Sequence, residues 1–545
     1  MNEKRWNVIA KVTDDSAAAV FSLLLKNRGI AKKDQKAFID PPHPTKLSAA
    51  LVGIDEKSLE KTKKRLAKAI KKKEHVVVFG DYDADGVTGT AILWEALYDN
   101  GVSALPYIPD RVSQGYGLSI AALDDLISTD PSVSLIFTVD NGIVASDAIA
   151  YANEKGIDVI VTDHHTKQKK IPEAYAILHT TSLCGASVAW IVAKELFPSY
   201  APSLELAAIG TIADQVPLVG FNRSFALHGL AALRTTKRIG LLSLFEASQI
   251  QQGDIDTYTV SFGIAPRINA AGRIHHAMDA LRLLCTKDIK KSGEIAQALQ
   301  STNITRQEVV DAVLKDIEEK LPKTDFVIAL YSEAYHEGVV GLAAGKLTER
   351  FYRPSIVGTV SEGIVKASAR SIPEFNIIEA ILSAEVPLLG AGGHPMAAGF
   401  SIKESDFPLL VDAIRSQIEA RYTADELVPS ITIDCELPFS ALTYPLYQYI
   451  EKLEPTGTGN TKALFVTKGV TIQKLSSMGN GKHLRFQAVM DGVTLPAVAF
   501  GWGEHLGELK EHEVIDVAYY FEKNVWNGNE NLQIRVKDIK IHHGS

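Results

Sequence analysis

The chain has 545 residues, of which 46% are hydrophobic, and its 57 basic against 65 acidic residues give a net charge of −8. At ~100–200 residues per domain, this length predicts three or four domains, and the composition excludes disordered and fibrous proteins. No apolar stretch approaches the ~18–20 residues that cross a bilayer, and the start lacks the apolar core of a signal peptide. The three cysteines lie far apart, which disfavours disulfides or a thiolate zinc site. We therefore expect a cytoplasmic protein without membrane association.

The first half of the chain reads as a helical lead-in followed by an α/β unit. Residues 1–56 predict a small helical segment, and residues 57–285 alternate short β-branched runs with helical stretches. The clearest runs are continuous in apolar residues, and they fall at 76–80, 134–139, 157–163 and 175–179. Buried strands separated by single helices predict a doubly wound parallel sheet.

The second half predicts a long helix, a second α/β unit and a barrel. Residues 286–322 have no glycine or proline between 294 and 321, which favours one connecting helix that ends at Pro322. Residues 323–454 predict a smaller α/β unit. Residues 455–545 alternate apolar and polar positions, with turns expected at Asp491-Gly492 and Asn527-Gly528, as in an all-β barrel.

The segment FGDYDADGVTG carries an unusual concentration of charge. Asp81, Asp83 and Asp85 occupy alternate positions directly after a predicted buried strand, and a helix follows them. Ligands bind at the carboxyl ends of strands in open α/β sheets. Three carboxylates at one such end repel each other, and a bound cation is the usual remedy. A solvated turn is the alternative for this motif taken alone.

Three more segments bring acids or imidazoles to the same predicted edge. TVDNG places Asp140 after the next strand, VTDHH places Asp163, His164 and His165 after a third, and TIADQ places Asp214 at the end of an apolar helix. Carboxylates with one or two histidines suit Mn²⁺, or Mg²⁺ less selectively. The ligands suffice for two cations ~3.5–4 Å apart that share a carboxylate, as in phosphodiester hydrolysis.

These motifs resemble the DHH phosphoesterase superfamily and, within it, the RecJ family of single-strand-specific 5′→3′ exonucleases. The supporting motifs extend along the chain: GDYDADG (80–86), TVDNGI (138–143), VTDHH (161–165), AAIGTIADQVPL (207–218), RINAAGR (267–273), HEGVVG (336–341), GGHPMAAGF (392–400) and LEPTGTGN (453–460). The resemblance implies a DHH catalytic domain, a DHHA1 substrate domain and an OB-like barrel that binds single strands.

The resemblance also implies roles for the metal-site residues. Two cations would be held by Asp81 and Asp83 for the first, and by Asp85, His164 and Asp214 for the second. Asp140 would bridge them, and His165 would face the scissile phosphate. Some relatives have a histidine four residues before Asp83, where this chain has Phe79, and the pre-barrel turn is threonine-rich here instead of proline-rich and aromatic.

A second group of residues suits the nucleic-acid backbone. Candidate substrate contacts are basic, hydroxyl or glycine positions: Arg267, Asn269, Arg273, His336, Ser368, Arg370, Gly392, Gly393 and His394. Arginine forks bind phosphate bidentately, and glycine amides can cradle it. The family uses its DHHA1 domain to grip a terminal 5′-phosphate. A bracing role at the domain junction is the alternative for residues 267–273, and a tight glycine turn with a buried histidine is the alternative for 392–394.

The barrel offers aromatic side chains for base stacking. Residues 465–526 contain eight such rings, about half of which must be core. The remainder, beside Lys482, Arg485 and Lys523, would suit a platform that reads strandedness instead of sequence.

Three functions are compatible with the motifs. The first is a metal-dependent exonuclease that degrades single-stranded DNA to 5′-mononucleotides in repair and recombination, acting as a monomer, with a helicase and a single-strand-binding protein as partners. The second is a DHH phosphodiesterase for short oligonucleotides or cyclic dinucleotides, against which the barrel argues. The third is a silent binding scaffold, against which the complete carboxylate set argues.

Overall fold

The computed structural model describes residues 4–111, 113–115, 117–274, 276–320, 326–526 and 528–541. Three sheets organise this part of the chain, and they correspond to the predicted doubly wound unit, the second α/β unit and the barrel. Among the described residues, no helix combines the length and apolarity needed to cross a membrane.

The N-terminal segment differs from the prediction. It contains strand β1 and two helices: β1 (Arg5–Lys11), α1 (Ala17–Asn27) and α2 (Gln35–Ile39). The helical prediction is wrong for residues 5–11, because β1 pairs in parallel with Ser430–Glu436. Trp6 and Val8 face a small apolar cluster, and the Trp6 indole Nε1 donates to Asp538 at 2.7 Å. Such a short alternating pattern becomes a strand only when its distant partner is present.

The first α/β unit, which the resemblance implies to be the catalytic unit, is a doubly wound α/β layer followed by helices. Its elements are α3 (Glu56–Lys72), β2 (His75–Phe79), α4 (Ala84–Asp99), β3 (Ala104–Tyr107), α5 (Ile120–Thr129), β4 (Val133–Val139), α6 (Ser146–Glu154), β5 (Asp158–Asp163), β6 (Ala176–His179), α7 (Gly185–Leu196), α8 (Leu204–Ala213), α9 (Gly220–Leu233), α10 (Ile239–Ala247), a π-helical segment (Thr259–Ile264), α11 (Ala265–Ile274) and α12 (Met278–Cys285).

The strand order of this sheet positions the site. All five strands are parallel, in the order β3-β2-β4-β5-β6. The chain goes from β2 to one side to form β3 and then returns to the other side to form β4. The gap between the carboxyl ends of β2 and β4 is therefore the topological switch point, where open α/β sheets bind ligands.

The connecting helix and the second unit follow as predicted. Helix α13 (Ile289–Lys320) has 32 residues, and its predicted end at Pro322 lies outside the described residues. The second unit comprises β7 (Ile328–Tyr331), α14 (Glu337–Phe351), β8 (Ser355–Ser361), β9 (Ile364–Arg370), α15 (Ile377–Leu382), β10 (Gly390–His394), β11 (Ala397–Lys403) and α16 (Phe407–Glu419). Its sheet order is β10-β11-β9-β8-β7, and only β7 and β8 pair in parallel.

The last unit is a closed five-stranded barrel with two additional strands. It comprises β12 (Ser430–Glu436), α17 (Tyr444–Glu451), β13 (Phe465–Met478), β14 (His483–Met490), β15 (Val493–Ala499), β16 (Val514–Trp526) and β17 (Asn529–Ile541). Pairing of β13 with β16 closes the barrel, while β12 and β1 extend the sheet. The boundary predicted at 455 separates β12 from its partner β13. The Asp491-Gly492 turn is confirmed, with positive φ at both residues, whereas Asn527 lies outside the described residues.

One buried arginine joins the catalytic unit to the barrel unit. The Arg223 guanidinium on α9 donates to five backbone carbonyls, those of Phe38 and of residues 452–455. It also lies 4.0 Å from the centroid of the Phe38 ring. Burial lowers the pKa of Arg223 to about 10. Arg223 thus makes most of the hydrogen bonds that hold residues 452–455 of the pre-barrel turn against the catalytic unit.

Candidate metal centre

The three aspartates after β2 take different local roles. Asp81 is buried directly after the strand. Asp83 caps α4, and its Oδ1 accepts hydrogen bonds from the amides of Asp85 at 2.9 Å and Gly86 at 3.0 Å. Asp85 lies in the first turn of α4, and its two carboxylate oxygens accept from the amides of Gly185 at 2.7 Å and Ala186 at 2.8 Å at the start of α7. Two helix N-termini therefore stabilise negative charge here.

Asp140 follows β4 in a left-handed conformation, with a φ of 63°. A non-glycine residue in this region is uncommon, and such outliers concentrate at functional sites. The Asp140 amide donates to the Thr162 carbonyl at 3.0 Å, so the turn is anchored to β5. The side chain consequently points to the space between β2 and β5.

Asp163 organises the Asp-His-His turn after β5. Its Oδ1 accepts from the amides of His164 at 2.7 Å and His165 at 3.1 Å and lies 2.8 Å from His165 Nδ1, while its Oδ2 accepts from the Ile143 amide at 2.9 Å. With both oxygens used in this way, Asp163 positions the two histidines. His164 Nε2 then lies 3.0 Å from Asp140 Oδ1, 3.7 Å from Asp214 Oδ2 and 3.9 Å from Asp85 Oδ2.

The predicted ligands fall into compact groups. Ligand atoms within 4.8 Å of one another form three sets: Asp81, Asp83 and Asp140; Asp85, His164 and Asp214; and Asp140, His164 and His165. The first two sets contain the residues expected for the two cations, with Asp140 adjacent to both. The structure therefore brings together all seven side chains predicted for catalysis.

The electrostatics of this cluster are unfavourable without a cation. Burial and then the neighbouring carboxylates raise the pKa values of Asp81, Asp83 and Asp140, and raise the pKa of Asp214 to about 8. Burial lowers the pKa of His164, which keeps its imidazole neutral. Burial acts to lower the pKa of His165 as well, but the hydrogen bond and charge of Asp163 outweigh it and raise that pKa to about 8.

Several buried ligand atoms lack a partner. Within the described part of the chain, four atoms of the cluster make no hydrogen bond of acceptable geometry: Asp81 Oδ1, Asp140 Oδ1, His164 Nε2 and Asp214 Oδ2. Buried polar atoms are rarely left in this state. These atoms belong to the two ligand sets described above, and their chemistry fits oxygen and imidazole coordination of divalent cations.

A group of arginines lies beside the carboxylates. The Arg111 guanidinium stacks over the Tyr82 ring at 4.9 Å, between Asp81 and Asp83 in sequence. Burial, followed by the charges of Arg111 and Arg306, lowers the pKa of Arg273 to about 10, and burial and Arg111 lower the pKa of Arg370. Like charges this close to one another are typical of an anion-binding surface.

Three segments of the chain match known protein families. Residues 75–211 match the N-terminal domain of the DHH family, residues 324–420 the DHHA1 domain, and residues 433–538 the RecJ OB domain. The single-stranded-DNA-specific exonuclease RecJ of Thermus thermophilus is 34% identical over 531 residues, which are 94% of this chain and 74% of that protein. The chain belongs to the RecJ family.

Other RecJ proteins agree with this assignment. The single-stranded-DNA-specific exonuclease RecJ of Bacillus subtilis is 34% identical over 506 residues, 90% of this chain, and the chain spans 64% of that relative's length. Crystal structures of T. thermophilus RecJ in complex with Mn²⁺ and with Mg²⁺ match with TM-scores of 0.84 and 0.75, at 30% and 29% identity. They cover 99% of this chain and 80% and 79% of the other. The cofactor expected from the sequence, Mn²⁺ or Mg²⁺, is that of these RecJ structures.

The predicted substrate residues divide between contact and bracing. Asn269 on α11 accepts a hydrogen bond from the Ala84 amide at 2.7 Å and so supports the first turn of α4. Arg267 donates to Gln300 at 2.7 Å, and Arg273 donates to the Gly338 carbonyl at 3.0 Å. His336 caps α14 through the Gly338 amide, also at 3.0 Å. The contacts of Asn269, Arg267 and Arg273 join α11 to α4, α13 and α14, respectively, as the bracing alternative for residues 267–273 expects.

The other predicted contacts lie on the sheet of the second unit. A Cβ built on Gly341, in α14, would be 3.2 Å from Ser368 Oγ and 3.3 Å from Arg370 Nη2. Across the sheet, Ser368 aligns with Gly392, and Arg370 with His394, through the intervening strand β11. Gly392, Gly393 and His394 are exposed on the edge strand β10. The alternative of a turn with a buried histidine is wrong, because His394 is in a strand and exposed.

Two arginines of the site, Arg111 and Arg306, are not among the residues predicted from the sequence. Arg111 follows β3 just as the aspartates follow β2 and β4. It could therefore have been predicted from its place after the carboxyl end of a strand. Arg306 lies in the middle of α13, where a basic residue is ordinary, and its Nε is a further buried atom without a partner in the described structure. Only the fold places Arg306 beside Arg267 and Arg273.

The close packing around Asp85 gives a test of the metal site. A Cβ on Gly210, in α8, would lie 2.5 Å from Asp85 Oδ1 and 2.5 Å from the Ala186 Cβ. Gly210→Ala should therefore displace the Asp85 carboxylate and weaken Mn²⁺ binding about tenfold or more in a calorimetric titration, since misplaced supporting groups commonly cost 10–100-fold. Gly293→Ala, where an added Cβ meets nothing within 4 Å, is the control. Equal affinities in the two variants would contradict the assignment of Asp85 as a ligand.

Proposed function

We propose that this chain is a metal-dependent exonuclease that hydrolyses single-stranded DNA from the 5′ end to 5′-mononucleotides. The proposal is supported chiefly by the four unpartnered ligand atoms that converge at the switch point of the sheet. It is supported also by membership of a family whose named members are single-stranded-DNA-specific exonucleases. The corresponding biological role is DNA repair and recombination.

In this proposal the protein side chains hold two cations and align the substrate. Asp81 and Asp83 would hold one cation, Asp85, His164 and Asp214 would hold the other, and Asp140 would contribute to both. The cations, when bound, supply Lewis-acid stabilisation of the phosphoryl oxygens and activation of the attacking water.

His165 has a separate role in the proposal. Because its Nδ1 lies 2.8 Å from Asp163 Oδ1, which orients the ring, His165 would direct its other ring nitrogen to the scissile phosphate. It does so without being needed as a ligand.

A digestion experiment tests this activity. Strands labelled at either end, single or double, would be incubated with the protein and with Mn²⁺, Mg²⁺ or a chelator. We expect mononucleotides to be released from the 5′ end of single strands, with a metal only. Release from the 3′ end, or cleavage restricted to dinucleotides and cyclic dinucleotides, would contradict the proposal and favour a phosphodiesterase for short substrates.

The direction of cleavage is assigned to the second unit. Ser368 and Arg370 lie over the first turns of α14, whose N-terminus favours anions, and Arg370 interacts electrostatically with Arg111 at the metal site. A terminal 5′-phosphate bound there would place the first internal phosphodiester over the cations. Chain-end recognition, and with it polarity, would thus come from these side chains.

Loss of this contact should depend on the substrate end. Arg370→Ala is expected to lower kcat/KM more on 5′-phosphorylated than on 5′-hydroxyl strands, by the ~1.5–3 kcal/mol of a charged hydrogen bond. Arg350→Ala, which removes an exposed ion pair with Glu318 in the same unit, should change neither value. An equal loss on both substrates would show that Arg370 does not bind the terminal phosphate.

The remaining expectations concern the cellular setting. We propose that the protein acts in the cytoplasm as a monomer, on strands opened by a helicase and covered by a single-strand-binding protein. Sedimentation of the purified chain and pull-down with each candidate partner test these points separately.

A further inference from the structure

Two large aromatic side chains are exposed on the catalytic unit. Tyr258 and Phe262 have 69% and 67% of their surface accessible, and their ring centroids are 4.7 Å apart with planes inclined by 31°. They lie at the π-helical segment that leads into α11. π-helical turns occur frequently at functional sites. Exposed rings in mutual contact have no core to stabilise, so a binding role is the natural explanation.

The aromatic pair stands between the metal centre and the barrel. Two adjoining grooves share Thr257, Tyr258 and Thr456 in their walls. One groove, of about 280 Å³, includes Phe262 and extends to Ile212 and Gln215, on either side of Asp214 in the chain.

The second groove leads to the barrel. It has a volume of about 660 Å³ and extends to Phe500, Lys462 and Arg535. Together, the two adjoining grooves run from the residues that flank Asp214 to the barrel unit.

The barrel itself offers few free rings near this path. Phe465, Phe486, Tyr519 and Phe521 are all buried in its core. Phe500 is 52% exposed, and it faces the second groove. The stacking surface expected on the barrel is therefore small at this point, and the exposed rings of the path lie mainly on the catalytic unit.

The wall that carries the pair is braced from both sides. Thr257 Oγ1 donates to the Thr456 carbonyl at 2.7 Å, and the Leu218 amide donates to the Thr458 carbonyl at 2.7 Å. The acids that line the path are engaged locally: Asp256 accepts from the Thr259 amide at 2.7 Å and Glu454 accepts from the Thr456 amide at 2.8 Å. Rigid aromatic groups on a braced surface are well suited to stacking.

We propose that Tyr258 and Phe262 form a base-stacking platform for the nucleotides that follow the scissile phosphodiester in the single strand. The inference rests on the proposed function and assigns the path of the uncut strand. Unpaired bases have exposed faces that the rings can cover. Arg234, Lys462 and Arg535 line the second groove, and the last two share Glu522 as an ion-pair partner, so one acid serves two of the three basic groups along this stretch of the path. Paired bases hide these faces, so the platform would also favour single strands over duplexes.

The test compares long and short substrates. Tyr258→Leu and Phe262→Leu remove the rings and keep apolar bulk. The Kd for a single strand of about 16 nucleotides, measured without divalent cations, should rise roughly 10- to 100-fold. In digestion assays, kcat/KM should fall at least tenfold more on that strand than on a dinucleotide. Phe262→Trp, which keeps an aromatic ring at this position, should bind the strand with a Kd close to that of the wild type. Tyr98→Leu removes an exposed ring at the far end of α4 and is the matched control.

A second measurement locates the contact on the strand. A single abasic position would be moved along the substrate, one nucleotide at a time. An abasic position that coincides with a stacked base should raise the Kd of the wild-type protein. The same substrate should not raise the Kd of the Leu variants, which have already lost the ring. Additive losses at every position, or unchanged Kd values in the Leu variants, would overturn the platform. A wild-type protein that neither binds nor digests single strands would instead refute the proposed function.

Discussion

Replacement of Asp140 by asparagine is expected to abolish hydrolysis while leaving most of the affinity for single strands. Asp140 groups with Asp81 and Asp83, and its Oδ1 lies 3.0 Å from His164 Nε2, so in the proposed site its charge would serve both cations. Loss of a shared carboxylate removes several kcal/mol of transition-state stabilisation, which corresponds to a rate decrease on the order of 10³-fold or more. Asparagine tolerates the left-handed backbone at this position, so the turn itself should persist.

The measurement combines a single-turnover nuclease assay, a calorimetric Mn²⁺ titration and fluorescence anisotropy with a labelled strand. Asp147→Asn is the matched control, because it changes the same group in an exposed ion pair with Lys170. Turnover within a few fold of wild type in Asp140→Asn would exclude a bridging role. Loss of strand affinity in parallel with turnover would indicate that the cations also hold the DNA.

Replacement of Arg223 by methionine is expected to separate the barrel unit from the catalytic unit. The substitution keeps much of the apolar volume but removes a donor from five backbone carbonyls. Those of Leu453 and Pro455 still accept from Asn460 Nδ2, whereas those of Phe38, Lys452 and Glu454 lose their side-chain donor. Each unpaired buried acceptor costs ~1–3 kcal/mol, so a loss of at least about 3 kcal/mol follows even if water rescues some of them. The pre-barrel turn at 452–455 should become sensitive to protease, and the thermal transition should split or move to lower temperature.

Calorimetry and limited proteolysis measure these effects. Arg282→Met removes an exposed ion pair on α12 and should leave both readouts unchanged. A single transition at the wild-type temperature in Arg223→Met would show that other contacts suffice to hold the two units together.

The metal centre could be predicted from the sequence because most of its ligands directly follow predicted strands. Continuous apolar runs identify buried parallel strands, and the residues that follow such strands lie together at the carboxyl edge of the sheet. Asp81, Asp140 and His164 were therefore recognisable before the fold was known. The role of Asp163 was not, because it depends on which backbone amides converge on its carboxylate.

The features that sequence reasoning missed depend on contacts between distant segments. β1 needs β12 to be a strand, and Arg306 needs α11 beside α13 to join the arginine group. Tyr258 and Phe262 lie in a stretch whose apolar pattern reads as ordinary helix, and only their exposure distinguishes them from core residues. The aromatic side chains of the barrel are the opposite case, because base stacking was expected of them and most of them are buried in the barrel core.

The pairing of β1 with β12 constrains the order in which the chain assembles. The partner strand of residues 5–11 is synthesised more than 400 residues after them. Contacts of such large sequence separation form slowly, and a strand is prone to aggregation until its partner is available for pairing. The alternating charged and polar residues Arg5, Asn7 and Lys11 would keep this early strand soluble. Synthesis of the catalytic unit can proceed in the meantime, because its parallel sheet draws on nearby segments only.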